Sequence, residues 1–295
     1  MTYITSSGGS PVVQTSQAGV QTDVSTPENP PPARQTAKIS IQSVSKIFAT
    51  KSKRTEALKD IDLDITEGET VSLIGRSGCG KSTLLRIMAG LLPPSDGNVF
   101  VSGKPLWKGN QVESGVLEQL GVVFQEPHLF PWFDIADNIA LPLKLRGMGK
   151  AERRRRATEL ADLVGLGDFL KSYPRELSGG MRQRVAIARA LSRDPELLLM
   201  DEPFGALDAM TREKMNMELQ RITMATQATV VFVTHDISEA VFIGDRVIQL
   251  TPRPGRIQST VDVGLERPRP LDVQATEAFG TTVRTLRHAL ESEES

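Results

Sequence analysis

Apolar residues follow two spacings along this chain of 295 residues, and each spacing predicts one kind of secondary structure. Ile39 and Ile41 alternate with polar neighbours, which is typical of a half-buried strand, and Ile61, Leu63 and Ile65 repeat the alternation. Helical spacing separates several short, mostly apolar runs that have the length of fully buried strands. These runs are Thr70–Ile74, Gly121–Phe124, Leu197–Met200 and Thr229–Val233. The order of strands and helices predicts an α/β fold with a mainly parallel sheet.

The interval between Phe124 and Leu197 carries only helical spacing. Two apolar faces recur there every three to four residues, as expected for helices with one buried side. One face consists of Ala157, Leu160, Ala161 and Val164, and the other of Met181, Val185, Ala188 and Leu191. We therefore expect a helical subdomain, at about residues 127–194, inserted into the α/β core.

The amino-terminal part, residues 1–36, differs from the rest in composition. Ser, Thr, Gln, Gly and Pro dominate it, and such a segment buries too little apolar surface to offset the entropy of ordering. It also has no apolar stretch of the kind found in secretory signals. We predict a disordered tail, followed by a main domain at residues 37–255.

The carboxy-terminal part, residues 256–295, is expected to add a strand, a stiff connector and a helix. The strand pattern covers Ile257–Val263, and Pro268 and Pro270 stiffen the connector. The helix would place Phe279, Val283, Leu286 and Leu290 on one face. Packing of that face against its own domain is favoured over binding of a partner.

Composition disfavours several classes of function. Lys and Arg number 35 against 36 Asp and Glu, so a net charge of −1 gives no support to a nucleic-acid partner. The single cysteine, Cys79, cannot form an internal disulfide, which favours a reducing compartment. No apolar stretch approaches the roughly 18–20 residues that cross a bilayer. We expect a cytoplasmic protein that does not span a membrane by itself.

A run of four arginines, Arg153–Arg156, is the strongest local charge. On a helix four consecutive residues spread over about 300°, so they do not form one basic stripe. Glu152 and Glu159 lie four residues from Arg156 and Arg155 and are placed to pair with them. The run is interpreted as a solvated helix face.

The segment from Gly75 to Ser82 fits the phosphate-loop pattern, between a buried strand and an apolar helical run. Glycines let backbone N–H groups turn toward phosphate oxygens, and the start of the helix adds a positive dipole. Lys81 would reach the β and γ phosphates, and the Ser82 hydroxyl would bind Mg²⁺. The predicted nucleotide-binding residues here are Gly75, Ser77, Gly78, Cys79, Gly80, Lys81, Ser82 and Thr83.

Two adjacent carboxylates, Asp201 and Glu202, follow the predicted strand Leu197–Met200. They would lie at the carboxyl end of the sheet, where open α/β sheets bind ligands. Asp201 would hold Mg²⁺, directly or through water, and Glu202 would polarise the attacking water as general base. Together with the phosphate loop, this pair predicts a nucleotide hydrolase that uses Mg²⁺.

The stretch Leu177–Gln183 opens a predicted helix, with Ser178 as a suitable N-cap. Its sequence reproduces a family signature in full, and here the chain resembles the ATP-binding subunits of ABC transporters over about residues 38–255. The resemblance implies a P-loop NTPase core with a mainly parallel sheet, an antiparallel β portion and an inserted helical subdomain. It also implies a head-to-tail dimer, in which the signature completes the ATP site of the second copy. The signature residues are Ser178, Gly179, Gly180 and Gln183.

The same resemblance implies roles for four further positions. Phe48 matches the aromatic residue that stacks on adenine, where the family more often has Tyr. Gln125 matches a glutamine that senses Mg²⁺ and the attacking water, and is therefore expected among the catalytic and metal-binding residues. Asp208 lies in a loop that crosses to the other subunit, with Gly205 where Ser is commoner. His235 resembles the switch histidine that contacts the γ-phosphate.

These features are similar to those of a transport motor. The resemblance implies ATP hydrolysis that powers solute import through separate membrane permease subunits, at the cytoplasmic face of the inner membrane. A solute-binding protein would be an indirect partner. Aromatic residues within Pro127–Trp132 are expected to be exposed as an interface. With Leu265–Pro270, the chain is most similar to the nitrate, sulfonate and taurine importer branch.

Two alternatives stay open at this point. The subunit could serve an exporter with the same ATPase chemistry. It could also be a soluble ABC ATPase that acts on nucleic acid, although one phosphate loop, no sustained heptads and the balanced charge disfavour this class.

Overall fold

The computed structural model describes residues 37–50 and 53–291, so the predicted tail at residues 1–36 lies outside the described part. Strands and helices alternate through most of the described part, as the sequence predicts. The strands are β1 (Ala37–Ala49), β2 (Arg54–Thr66), β3 (Thr70–Ile74), β4 (Asp96–Val101), β5 (Lys104–Pro105), β6 (Trp107–Lys108), β7 (Gln111–Val112), β8 (Leu120–Val123), β9 (Leu197–Asp201), β10 (Thr229–Val233), β11 (Arg246–Leu250) and β12 (Ile257–Asp262).

Helices connect most of these strands and fill the interval between β8 and β9. The α-helices are α1 (Lys81–Met88), α2 (Ser114–Leu117), α3 (Ile135–Leu145), α4 (Lys150–Leu163), α5 (Gly179–Leu191), α6 (Ala209–Thr226), α7 (Ile237–Ile243) and α8 (Glu277–Glu291). Short 3₁₀ turns occur at Gly167–Phe169, Pro174–Glu176 and Leu271–Ala275. No described helix is long and apolar enough to cross a membrane.

The largest sheet has six strands in the order β12-β11-β3-β10-β9-β8. Its strands run parallel except β12, which pairs antiparallel with β11 at one edge. This confirms the predicted α/β fold with a mainly parallel sheet. Parallel strands place their carboxyl ends at one edge, so the residues that follow β3, β9 and β10 are brought together.

The central strands are buried on both faces, which explains their continuous apolar runs. In β10, Val230 and Phe232 belong to a core that also contains side chains of α5, α6 and α7. Val231 and Val233 point to a second core, shared with α1 and the antiparallel strands. The sheet therefore lies between two hydrophobic cores. Packing on both faces fixes the position of its carboxyl edge.

The antiparallel part is a four-stranded sheet in the order β2-β1-β4-β5. Ile39 and Ile41 of β1 are buried, as predicted. The expectation of a half-buried strand is wrong at its start, because the polar neighbours Lys38 and Ser40 are buried too. The ammonium of Lys38 pairs with Glu67 and Glu196, and these ion pairs compensate its burial.

The interval between β8 and β9 contains α3, α4 and α5 and no strand among the described residues. Its treatment as a separate subdomain stays a prediction. The arginine run lies on α4, where Arg155 pairs with Glu159. The predicted pair between Glu152 and Arg156 is wrong: Arg156 contacts Glu159 and Asp194 instead. Asp194 precedes β9, so Arg156 connects α4 to the main sheet.

The carboxy-terminal segment packs onto the α/β core. β12 is the predicted edge strand, and α8 buries Phe279, Val283 and Leu286 against the core that contains α7. This is the packing that the sequence favours. Between them, Arg269 is only 2% exposed and donates to the carbonyl groups of Val241, Phe242 and Gly244. The connector predicted from its prolines is therefore fastened to the carboxyl end of α7.

Candidate active site

The phosphate loop joins β3 to α1 at the carboxyl edge of the sheet. Gly80, the residue before α1, has φ of 112°, and a Cβ atom there would lie 2.6 Å from a methyl carbon of Leu58. At Gly75, with φ of 149°, a Cβ atom would lie 2.9 Å from the Leu250 carbonyl oxygen. Both positions require glycine, since any side chain would clash or strain the backbone. The loop is thus held tightly between β2 and β11.

Lys81 begins α1 and is buried, and the loop itself accepts two hydrogen bonds from its ammonium. The Nζ atom donates to the carbonyl oxygens of Gly75 at 2.7 Å and Arg76 at 3.3 Å. An ammonium has three donors, so one proton remains for an anion bound in the loop. This geometry suits the phosphate contact that the sequence predicts.

The next residue of α1, Ser82, contacts the end of β9. Its hydroxyl donates to Oδ1 of Asp201 at 2.8 Å. Burial raises the pKa of the Asp201 carboxyl, and Glu202 adds to the effect, whereas the Ser82 hydrogen bond and the charges of Arg86 and Lys81 oppose it. A hydroxyl and a carboxylate are the hard oxygen donors that Mg²⁺ prefers, with phosphate oxygens and water completing its shell.

The two residues fit that ion. Among the described residues, no group of three or more His, Cys, Asp and Glu side chains could hold a metal without a further ligand. A divalent ion at Ser82 and Asp201 would therefore depend on oxygens supplied by the nucleotide.

Glu202 and His235 form a pair across neighbouring strands. Glu202 follows β9, and its backbone adopts the left-handed conformation, with φ of 44°. Its N–H donates to the Val233 carbonyl at 3.0 Å. His235 follows β10, and its Nδ1 atom lies 3.1 Å from Oε2 of Glu202. Gln125, after β8, lies close by: its Nε2 atom is 3.2 Å from the Cβ position at Gly205. Oε2 of Glu202 lies 3.6 Å from the same Cβ position, so the side chains predicted to act on the attacking water, Glu202 and Gln125, lie near the predicted γ-phosphate contact, His235.

A cavity of about 380 Å³ connects this chemistry to the antiparallel sheet. Phe48 is 42% exposed at its entrance, and the Lys46 ammonium lies 5.5 Å from the centre of its ring. An exposed aromatic ring at the end of a nucleotide-sized cavity can stack on a base. The cavity is lined by Phe48, Thr55, Ala57, Ser77, Gly78, Gly80, Lys81, Ser82, Thr83, Glu202 and Arg253.

Some predicted site residues lie away from this cavity. Cys79 is buried in the core beside α1, so the loop presents its backbone and not its thiol. Gln183 is buried as well and donates to the Phe124 carbonyl at 3.0 Å, next to Gln125. Its side chain therefore fastens α5 to the end of β8, and a contact with a second copy's nucleotide would require it to leave this position.

The signature and the crossing loop lie side by side at another surface. Ser178 caps α5 by accepting from the Met181 N–H at 3.3 Å, and a Cβ atom at Gly179 would lie 3.3 Å from Leu207. Asp208 caps α6, where its hydrogen bonds with Thr211 lower the pKa of its carboxyl. A Cβ atom at Gly180 would likewise lie 2.9 Å from Thr211. The two helix starts form one face, with donors available to an external anion.

Sequence reasoning missed three residues of the cavity wall: Thr55, Ala57 and Arg253. The first two are ordinary strand residues of β2 with no chemical signal. Arg253 follows β11, and its place after a strand of the parallel sheet was an available signal, because ligands bind at that edge.

Comparison with known proteins bears on this site. The sequence model of the family described as ABC transporter matches residues 58–205, which include the phosphate loop, the signature, Asp201 and Glu202. The chain belongs to the ABC transporter family. This ABC protein is an ATP-binding subunit and an ATP-hydrolysing enzyme.

Individual relatives of the ABC subunit support the assignment. It is 47% identical over 230 residues to the taurine import ATP-binding protein TauB of Rhizobium johnstonii, covering 78% of this chain and 85% of the relative. It is 42% identical over 231 residues to the aliphatic sulfonates import ATP-binding protein SsuB of Bacillus cereus, covering 78% of this chain and 88% of the relative. Its fold matches the dimeric ATP-binding cassette MJ0796 in a post-hydrolysis state bound to ADP and Pi. That comparison has a TM-score of 0.67 and 36% identity, over 76% of this chain and 98% of the other.

Proposed function

We propose that this subunit hydrolyses MgATP to power the import of taurine or another sulfonate through a separate membrane permease. The observation that carries the proposal is the 47% identity, across 78% of the chain, to a protein named for taurine import. The similarity to a sulfonate import subunit points to the same class of small anion. Nitrate, which the sequence resemblance includes, belongs among the solutes to be tested.

Residues that line the cavity and residues beside it divide the chemistry among them. Mg²⁺, when bound, neutralises phosphate charge and orients the γ-phosphate. Lys81 holds the phosphate oxygens, and Ser82 with Asp201 holds the ion. Glu202 accepts a proton from the attacking water as general base. His235 holds the Glu202 carboxylate in position and contacts the γ-phosphate, and Gln125 orients the water.

A second copy of the chain would complete each site in a head-to-tail dimer. Ser178, Gly179 and Gly180 would face the phosphates bound by the other copy, and Asp208 would approach the same boundary. Their adjacency on one face of this copy supports the arrangement. The dimeric state of the related cassette MJ0796 supports it as well.

The loop before α3 is the proposed contact with the permease, at the cytoplasmic face of the membrane. Trp132 is 66% exposed, and its ring centre lies 5.5 Å from that of Phe130 and 6.2 Å from that of Phe133. Buried Asn138 holds this loop: it accepts from the Phe130 N–H at 2.8 Å and donates to three carbonyls of the loop. A rigid, exposed aromatic cluster suits a protein interface.

Uptake in the organism that encodes the chain tests the proposal. A strain lacking the gene should lose uptake of radiolabelled taurine or an alkanesulfonate, and the wild-type gene should restore it. The Glu202→Gln variant should assemble but not restore uptake. Nitrate uptake, measured in parallel, separates the two anion classes. Uptake of both sulfonates that is unaffected by loss of the gene would contradict the proposed function, even if the purified chain hydrolyses ATP.

A further inference from the structure

The turn between β11 and β12 packs directly on the phosphate loop. The Gly255 N–H donates to the Ala57 carbonyl at 2.9 Å, and the Lys59 N–H donates to the Gly255 carbonyl at 3.0 Å. A Cβ atom at Gly255 would lie only 2.1 Å from the carbonyl oxygen of Cys79, so no side chain is possible there. Residues 251–256 are therefore held between β2 and the loop that surrounds the phosphates.

The turn is also rigid within itself. The Thr251 hydroxyl donates to the Pro254 carbonyl at 3.0 Å and accepts from the Arg256 N–H at 3.0 Å. The backbone N–H of Thr251 donates to the Arg256 carbonyl at 3.0 Å. Such a turn presents its outward side chains in a fixed direction, which lowers the entropic cost of binding.

Arg253 is the side chain that this turn delivers to the nucleotide cavity. Its Nε and Nη2 atoms donate to the Gly78 carbonyl at 3.3 and 3.1 Å, and the residue forms part of the cavity wall. A guanidinium has five N–H donors, so most of them remain available. Within residues 37–50 and 53–291, no carboxylate lies at ion-pair distance from Arg253, whereas Arg256 of the same turn pairs with Asp60 at 3.5 Å.

We infer that Arg253 is a further nucleotide-binding residue, which contacts the phosphate chain of ATP while it fixes the phosphate loop through Gly78. A guanidinium without a carboxylate partner, anchored in the wall of an anion-binding cavity, is complementary to phosphate oxygens in charge and donor geometry. This role gives ground-state affinity for ATP and ADP alike, because both share the inner phosphates. The inference rests on ATP binding to this cavity.

Equilibrium binding of ATP and ADP to the purified full chain tests the inference. Arg253→Ala should raise Kd for both nucleotides about tenfold, the size expected for a lost charge-assisted hydrogen bond. The turnover rate at saturating ATP should fall by a smaller factor than Kd rises, because the proposed contact acts on ground-state binding. Arg256→Ala is the matched control in the same turn and should change Kd less than about twofold.

Arg253→Gln separates the charge from the loop contact, since a glutamine amide can still donate to the Gly78 carbonyl. If the Kd of Arg253→Gln is close to that of Arg253→Ala, the result supports the phosphate contact. Wild-type affinity in Arg253→Gln, or in both Arg253→Gln and Arg253→Ala, overturns the phosphate contact. The Kd of Arg253→Lys should lie between those of Arg253→Ala and wild type. A wild-type chain that binds no ATP contradicts the proposed function itself, whereas wild-type binding with unchanged variants contradicts only the role of Arg253.

Discussion

The nucleotide cavity and the interface between α6 and α7 both contain buried charges, but they stabilise those charges differently. In the cavity, Lys81 donates to carbonyls of a glycine-rich loop at the open edge of the sheet. At the far end of the helix interface, Arg269 is enclosed and donates to carbonyls of α7 and to Leu265. Its backbone exchanges hydrogen bonds with the Gln220 side chain of α6 at 2.8 and 3.2 Å.

This difference distinguishes charged groups that can act on a ligand from charged groups that only hold helices in position. Donors in the cavity remain within reach of a ligand, so they can exchange a carbonyl for a phosphate oxygen. Arg269 has no such exchange available, and its hydrogen bonds fix where α6 and α7 lie. Helix α7 begins next to the active site, where its N-cap Asp236 directly follows His235, whereas α6 begins at the signature face with Asp208 as its N-cap. The interface thus fixes α7, whose first residues follow His235, the neighbour of Glu202.

The largest expected effect is on chemistry alone. Glu202→Gln removes the proposed general base while keeping the size of the side chain, and should lower the ATPase rate by roughly 10²- to 10⁴-fold. ATP affinity and thermal stability should stay near wild type, and ATP should hold two copies together. Phosphate release and light scattering with ATP measure the two outcomes. Normal turnover in this variant would contradict the assignment of Glu202.

The opposite result is expected at the helix interface. Arg269→Ala leaves several buried carbonyls without donors and should destabilise the fold by roughly 3 kcal/mol. The melting temperature should then fall by about 6–12 °C. Well below the transition, turnover should stay within about threefold of wild type. Arg267→Ala, the control two residues away, removes a less buried arginine that pairs with Asp245 at 2.8 Å, and should cost less than half as much. Equal stability of Arg269→Ala and wild type would contradict the role of Arg269 in fixing α6 and α7.

These two regions also differ in how far the sequence predicts them. The phosphate loop, Asp201 and Glu202 are predictable because adjacent residues carry a complete chemical pattern next to buried strands. The contacts of Arg269 and Arg253 are not predictable, because their acceptors are backbone carbonyls, which any residue provides. Arg253 and its acceptor Gly78 are moreover 175 positions apart in the chain. Contacts of this kind exist only after the sheet has formed.

The same reason accounts for errors in the strands and helices. Thr70–Ile74 and Thr229–Val233 have their predicted bounds because both faces of each strand meet a core. The alternation around Ile39 predicts a half-buried strand, but Lys38 finds acceptors in Glu67 and Glu196 and is buried as well. Arg156 likewise bonds Asp194, outside its own helix, where sequence spacing favours Glu152. Local spacing cannot identify partners that tertiary packing supplies.

A smaller effect is expected for the acid buried in the helix interface. Glu239 of α7 accepts from the Thr234 hydroxyl, and its Oε1 atom has no hydrogen-bond partner. Burial raises the pKa of this carboxyl, and Asp236 adds to the effect, whereas Thr234, Arg212 and Asn216 oppose it. Because the folded chain holds this proton more tightly than the unfolded chain, stability is lost as pH rises from the ordinary Glu value through the raised pKa.

Glu239→Gln should remove that loss. Its melting temperature should exceed that of wild type by a few degrees at neutral pH and match it below the ordinary Glu pKa, where the wild-type carboxyl is protonated in both states. Thermal unfolding across the pH range measures the difference. Glu218→Gln on α6, an exposed pair with Arg221, is the control and should show no such pH dependence. A variant destabilised at neutral pH but not at low pH would show that the ionised carboxylate of Glu239 stabilises the fold, which contradicts the raised pKa.

The smallest effect on the isolated subunit is expected at the aromatic loop, which neither holds phosphate nor fixes a helix. Trp132→Glu should change ATPase activity less than about twofold and stability by about 0.5 kcal/mol or less, because the side chain is mostly in solvent. Copurification with the permease should fall at least about tenfold, since an aromatic anchor often dominates an interface. Leu91→Glu, at a 58% exposed residue after α1, is the control and should assemble normally. If Trp132→Glu melts much earlier and assembly falls only with the folded fraction, Trp132 is a packing residue, and the interface lies elsewhere.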